Sequence, residues 1–219
     1  MSSLLSRLAG MAAVTVTFLG CHQPEDNRCR PPTRAEVLLA ARAATRTSPS
    51  IEDSAKLDSI TIGSTIWVAA SWEGPVGGVL TIFHCGTLLD AMPVGFVRSL
   101  RPSGPMVPVA GTALIETTTA SGTGFTLVET SIVGSSDGAL ITLWSDTTEL
   151  VERPVGAEGE KITKTLSFDS AGGLVLRASR AKLLYDTAAR SWITADSAES
   201  PPQRLCWATS KGYVPCPKQ

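Results

Sequence analysis

Short stretches in which apolar and polar residues alternate dominate the chain from about residue 60 to residue 194. Val, Ile, Thr and aromatic residues recur at every second position, a spacing that predicts half-buried β-strands. About ten such strands, separated by turns rich in Gly, Pro, Asp and Ser, favour an antiparallel β-sandwich or barrel. The candidate strands read STIWVAASW, VLTIFHC, GFVRSL, TALIETTT, FTLVETSIV, ALITLWS, KITKTLSF, LVLRAS, AKLLYD and SWITA.

One segment before these strands carries a helix pattern instead. Thr33 and Glu36 have the spacing of a capping box, two prolines precede them, and AEVLLAARAA is rich in helix formers. Val37, Leu38 and Ala41 would share one face of that helix. We therefore expect a mainly β fold with one short N-terminal helix, which covers an edge of the sheet.

The first 20 residues have the pattern of an export signal. Arg7 and the terminal amine give a positive start, and an apolar run follows up to Leu19. This run is too short to span a bilayer stably, and no other stretch of the sequence approaches about 18 consecutive apolar residues.

The end of this run, Phe18-Leu19-Gly20-Cys21, resembles the lipobox of bacterial lipoproteins. Gly20 and Cys21 fit that pattern, whereas Phe18 and Leu19 stand where it usually has leucine and a small residue. The resemblance covers the signal alone. It implies that Cys21 receives a diacylglycerol on its sulfur and becomes the first residue of the mature chain. The alternative, an ordinary secretory signal, lacks an A-x-A cleavage site near residue 21.

The chain has 5 cysteines, an odd number for an exported protein. Lipid on Cys21 leaves four, which can pair in three ways. We favour Cys206 with Cys216, because Gly212 and Pro215 let the intervening loop turn back, and Cys29 with Cys85. The absence of a C-x-x-C motif and the presence of 2 His argue against a zinc site.

These patterns divide the chain into four parts: a signal over 1–20, a polar tether over 21–32, a helix and β domain over 33–195, and a disulfide-closed tail over 196–219. The tail carries two aromatic residues, Trp207 and Tyr213. They are candidate binding residues, and the alternative is that they pack the tail onto the domain.

Charge excludes one class of function, since 19 basic and 20 acidic residues give a net charge of −1 and the basic residues are scattered. Nucleic-acid binding normally requires a basic face, so we expect no nucleic-acid partner. The sequence also contains no calcium-loop or phosphate-loop motif, and we expect no cofactor and no metal.

Three motifs suggest catalysis, but each lies in the wrong structural context. Ser136 in GSSDG matches a nucleophile elbow, yet a strand pattern follows it where a helix is required, so Asp137-Gly138 is predicted to form a hairpin turn. His84 and Cys85 are neighbours on a predicted strand and would point to opposite faces, with Cys85 buried. Ser179 and Lys182 match S-x-x-K, but not at the start of a helix.

We therefore expect an exported, lipid-anchored protein of the bacterial cell envelope that acts as a binding or structural module. Its expected partners are the membrane, through the lipid, and a protein or glycan of the envelope. The alternative is a cell-envelope hydrolase whose site uses acidic residues or His84.

Overall fold

The structure is a computed structural model that describes residues 30–46, 54–72, 77–104, 107–154, 158–209 and 211–217. These residues form one α-helix and two antiparallel sheets that pack as a β-sandwich. The mainly β prediction with one short helix is confirmed, and the sandwich is the correct one of the two predicted architectures.

The first sheet, sheet A, is a meander of four strands in chain order. They are β1 (Lys56–Ile62), β2 (Thr65–Trp72), β3 (Gly77–His84) and β4 (Thr87–Val94). The second sheet, sheet B, has nine strands in the order β13-β12-β10-β9-β8-β7-β6-β5, with β11 paired to β10. They are β5 (Phe96–Pro102), β6 (Ala113–Gly122), β7 (Phe125–Ser136), β8 (Ala139–Glu152), β9 (Glu158–Phe168), β10 (Leu174–Asp186), β11 (Ser191–Glu199), β12 (Gln203–Ala208) and β13 (Gly212–Pro215).

The helix, α1 (Arg34–Thr45), lies on a face of sheet A. Val37 and Ala41 of α1 are buried in one apolar cluster with Val68 of β2 and Phe83 of β3. α1 also contacts β4, the edge strand of sheet A, so the helix covers this predicted edge from one face of the sheet. Both faces of β2 and β3 are buried, which explains why these two strands read as nearly continuous apolar runs.

The predicted capping box starts α1. The Thr33 backbone N–H donates to Oε2 of Glu36 at 2.7 Å, and the Glu36 N–H donates to the Thr33 hydroxyl at 3.3 Å. The Arg30 guanidinium also donates to Glu36, at 2.9 and 2.5 Å. The hydrogen bonds from Arg30 and Thr33 lower the pKa of Glu36 to about 2.

The opposite face of sheet A packs on sheet B. Trp67, Leu80 and Ile82 of sheet A are fully buried against Ile115 and Val133 of sheet B. Large apolar side chains from both sheets thus form the central layer of the core.

Sheet B coils so that β13 returns onto β8. A Cβ atom at Gly212, which has φ +72°, would overlap the carbonyl oxygen of Leu143 on β8. Leu143 and Tyr213 belong to one buried cluster on the face of sheet B that is turned away from sheet A. Glycine at this position therefore permits the close approach of the two strands.

Candidate functional site

The described cysteines lie in disulfides. Cys206 and Cys216 are bonded with their Cα atoms 4.9 Å apart, as predicted, and they link β12 to the residue after β13. Cys85 is also disulfide-bonded, but it lies exposed in the turn after β3 rather than buried on a strand. Cys21 and Cys29, the predicted lipid site and the predicted partner of Cys85, lie outside the described residues.

The two aromatic residues of the tail pack into the body of the protein. Tyr213 is 6% exposed, and its ring meets that of Trp207 edge-on with 5.3 Å between centroids. The Tyr213 hydroxyl donates to the carbonyl of Gly172 at 3.0 Å, and burial, with a smaller effect of Asp169, raises its pKa to about 12. Both residues thus pack on the domain, Tyr213 fully and Trp207 in part, and their role in binding stays a prediction.

The three catalytic motifs lie on different strands and turns of the fold. His84 is exposed at the end of β3, with its Nδ1 3.1 Å from the carbonyl oxygen of Ser64. Ser136 ends β7, and Asp137 (φ 52°) and Gly138 (φ 85°) form the turn to β8. This confirms the predicted hairpin turn. Ser179 and Lys182 both lie on β10.

A polar cleft of about 490 Å³ crosses sheet B, lined by side chains of β5 to β9. Its acidic residues face cations. Glu149 lies 3.1 Å from Arg98 and 3.8 Å from Lys161, and Glu116 lies 3.9 Å from Arg101. These ion pairs join β5 to β6 and β8, and β8 to β9.

The floor of this cleft holds two buried threonines. The hydroxyls of Thr130 and Thr148 lie 2.7 Å apart and hydrogen-bond to each other. Each hydroxyl thus has a hydrogen-bond partner within the sheet, and the acids of the cleft are ion-paired. Among the described residues, no group of three or more His, Cys, Asp or Glu is arranged to hold a metal ion. The ion pairs and the threonine pair of the cleft thus connect neighbouring strands of sheet B.

A second feature lies at the other end of sheet B, where β10 and β11 form a hairpin. We call the paired residues 179–186 and 191–199, with their turn, the far hairpin. Tyr185 and Trp192 are directly opposite each other, and their rings meet edge-on with 5.6 Å between centroids. Tyr185 remains 40% exposed.

The far hairpin is open on both faces and along one edge. Ile193 pairs with Leu184, one position along from the Tyr185–Trp192 pair, so it points to the opposite face and is 46% exposed. Every residue of β11 except Trp192 is exposed. β11 pairs with β10 on one side, and its other side is an edge of sheet B. The unpaired backbone groups of β11 and the exposed apolar side chains of the far hairpin are thus accessible to the same partner.

The sequence interpretation missed this pair of aromatic residues, although the signal was present. The segment DTAAR separates the predicted strands AKLLYD and SWITA, and a hairpin closed by a turn there places Tyr185 opposite Trp192. The side-chain Oδ1 of Asp186 accepts hydrogen bonds from the backbone N–H groups of Ala188 and Ala189, at 2.8 and 3.1 Å, and these bonds stabilise the turn. Counting outward from the turn would have revealed the pair.

Comparison of the chain with protein families, curated proteins and solved structures finds no match. In the part of the chain that the structure describes, no helix is long and apolar enough to cross a membrane.

Proposed function

We propose that this chain is an exported, lipid-anchored protein of the bacterial cell envelope that binds another envelope protein through the far hairpin. The observation that carries the binding role is the Tyr185–Trp192 pair, in which Tyr185 is exposed and Trp192 half-buried, beside an open strand edge. Exposed aromatic and apolar side chains in one place are typical of protein interaction sites.

The location is supported by the sequence and by the disulfides. The signal over 1–20 and the lipobox-like Gly20-Cys21 favour export with a lipid on Cys21. The Cys206–Cys216 disulfide fits an oxidising compartment outside the cytoplasm. In that compartment Cys29 is the expected partner of Cys85.

A protein partner is favoured over a glycan because of the edge of β11. Natural edge strands are usually protected by charged residues, proline, β-bulges or short length. β11 has a register shift between Thr194 and Asp196 and two acids, Asp196 and Glu199, but its first four residues, Ser191–Thr194, carry no charge, proline or shift. An extended polypeptide can pair with such an edge and place its side chains against the aromatic rings, a mode known as β-strand addition. A sugar cannot supply the repeating backbone hydrogen bonds.

The alternative, a hydrolase, has less support. His84 lies on the surface and does not line the cleft on sheet B, whose acids are paired with Arg98, Arg101 and Lys161. A general acid or base must lie within hydrogen-bond reach of the bound substrate. Substitution of His84 by Ala is accordingly expected to leave the cellular phenotype unchanged.

The binding role can be tested by photo-crosslinking in the native envelope. The photoreactive residue p-benzoylphenylalanine replaces Ile193 in one variant and Leu39, which is 64% exposed on α1, in a control variant. We expect one discrete protein adduct from position 193 and none of that mass from position 39. The adduct should be lost when Tyr185→Ala is added, because the partner then loses its aromatic contact.

Adducts of equal yield from both positions would contradict the proposal, as would an adduct at 193 that survives Tyr185→Ala. Circular dichroism of the purified Tyr185→Ala variant should match that of the parent, since Tyr185 lies on the surface. This control separates a lost contact from a lost fold.

A further inference from the structure

Three tight turns meet at one end of the sandwich, which we call the entry end. They are the turns at residues 63–64, 85–86 and 137–138. His84, next to the second turn, contacts the Ser64 carbonyl of the first. A Cβ atom on Gly138 of the third would lie 3.9 Å from the Cβ atom of Leu89, at the start of β4.

The described chain also begins at the entry end. A Cβ atom on Gly86 would lie 3.3 Å from Cζ of Arg30, so the Arg30 side chain packs on the turn between β3 and β4. Arg30 is nine residues after Cys21. Even a fully extended chain of that length spans at most about 30 Å. A lipid on Cys21 would therefore hold the entry end close to the membrane surface.

The entry end carries exposed apolar side chains. Leu88 and Leu89 of β4 are 41% and 42% exposed, and Ile141 of β8, three residues after Gly138, is 40% exposed. Together with Tyr185, Ile193 and Leu39 they make up the exposed large apolar residues of the described chain. Three of these six thus lie at the end where the tether arrives.

We propose that Leu88, Leu89 and Ile141 rest in the interfacial region of the lipid bilayer, so that the domain is oriented on the membrane with its entry end inward. This inference rests on the proposed lipid anchor at Cys21. The bilayer is favoured over another protein as the binding partner of these side chains, because the tether keeps them within reach of a lipid surface at all times. Interfacial binding of this kind scales with the apolar area that is buried.

The orientation places the far hairpin away from the membrane. β7 and β8 run between the turn at 137–138 and the opposite end of sheet B, and β7 has 12 residues. At about 3.3 Å per residue such a strand extends about 40 Å. Leu184, next to Tyr185, pairs with Glu158 at the start of β9, and Glu160 of β9 pairs with Glu152 at the end of β8. Tyr185 and Trp192 therefore lie at that opposite end. The apolar side chains of the entry end would thus contact the bilayer, and those of the far hairpin would contact a protein partner.

The test uses the full-length, lipid-anchored chain in phospholipid vesicles. p-Benzoylphenylalanine replaces Leu89 in one variant, Ile141 in a second and Ile193 in the control, whose original side chain has nearly the same exposure as Leu89. After irradiation, mass spectrometry measures the fraction of protein that carries a covalent phospholipid. We expect a several-fold larger lipid adduct at 89 and 141 than at 193.

The intact mass of the same preparations separates the two proposals. If the protein carries the diacylglycerol and yet forms equal lipid adducts at all three positions, or protein dimers at 89 and 141, the orientation proposal alone is wrong. If the protein recovered from the envelope lacks the acyl mass, the anchor is wrong and the orientation proposal falls with it.

Discussion

The contact between β13 and β8 gives the sharpest test of how sheet B coils. In Gly212→Ala the new methyl group would overlap the carbonyl oxygen of Leu143, and the backbone would be held at φ +72°. A left-handed backbone costs a residue with a Cβ atom about 1–2 kcal/mol. Relief of the overlap moves β13 away from β8 and exposes Tyr213, which is 6% exposed in the native fold. Loss of one large buried side chain costs about 1.5–3 kcal/mol.

We therefore expect Gly212→Ala to lower the free energy of unfolding by about 2.5–5 kcal/mol. Gly111→Ala is the matched control, since Gly111 has φ +74° and no atom within 4 Å of a Cβ position. It should lose only the backbone cost, about 1–2 kcal/mol. Effects of both substitutions on the unfolded chain are alike and cancel in the comparison.

Urea denaturation followed by far-ultraviolet circular dichroism, with the disulfides intact, measures both values. Equal destabilisation by the two substitutions would refute the reasoning, because it would mean that β13 does not need to approach β8 closely. A change in near-ultraviolet circular dichroism confined to Gly212→Ala would locate the effect at the rings of Trp207 and Tyr213.

Three further predictions address single interactions. Thr130→Val leaves the buried Thr148 hydroxyl without its partner and should lower the free energy of unfolding, measured by urea denaturation, by about 1–3 kcal/mol. The double variant with Thr148→Val should recover part of this loss, and additive losses would contradict the pairing. Replacing Cys206 and Cys216, which are 10 residues apart, by Ser should lower stability by about 2.5–3 kcal/mol in the chain-entropy model, and an unchanged denaturation midpoint would count against this. The folded pKa of Glu36 is about 2 and its ordinary value is 4.5, so the carboxylate stabilises the fold above pH 4.5 and loses this effect as the pH falls toward 2. The stability advantage of the parent over Glu36→Gln should shrink over that range, and a constant advantage would show that charge is not its source.

The strands were predicted well where a turn motif and an alternating pattern coincided. GSSDG and DTAAR, for example, lie between strands that pair as expected. β4 was not predicted, because TLLDAMPV contains proline and acid and leaves its leucines exposed. LVLRAS and AKLLYD were read as two strands, yet they form the single strand β10, since Ser179 and Arg180 continue the pairing with β9 without a turn.

The tail shows a different limit of the sequence. The Cys206–Cys216 disulfide was predicted from the loop between them, but the pattern gave no sign that β12 and β13 join sheet B. The predicted boundary at residue 195 lies within β11, which continues to Glu199. Short strands with few apolar residues are specified by their partners in the sheet, and those partners are distant in sequence.

The candidate site was the least predictable part. Tyr213 reads as an available aromatic residue in a short tail, and only the coiling of sheet B buries it. Tyr185 and Trp192 lie on strands whose apolar alternation resembles that of core strands, yet no second layer covers them in the described structure. Exposure depends on the neighbours that a residue meets in space, and the local pattern does not report them.

The intact mass of the mature protein, isolated from its native membrane, shows directly whether Cys21 carries a lipid. We predict a chain that begins at Cys21, carries a diacylglycerol and gains two hydrogens for each of two disulfides on reduction. A chain that begins at another residue, or that begins at Cys21 without acyl mass, would contradict the lipid anchor on which the proposed location and the orientation at the membrane both depend.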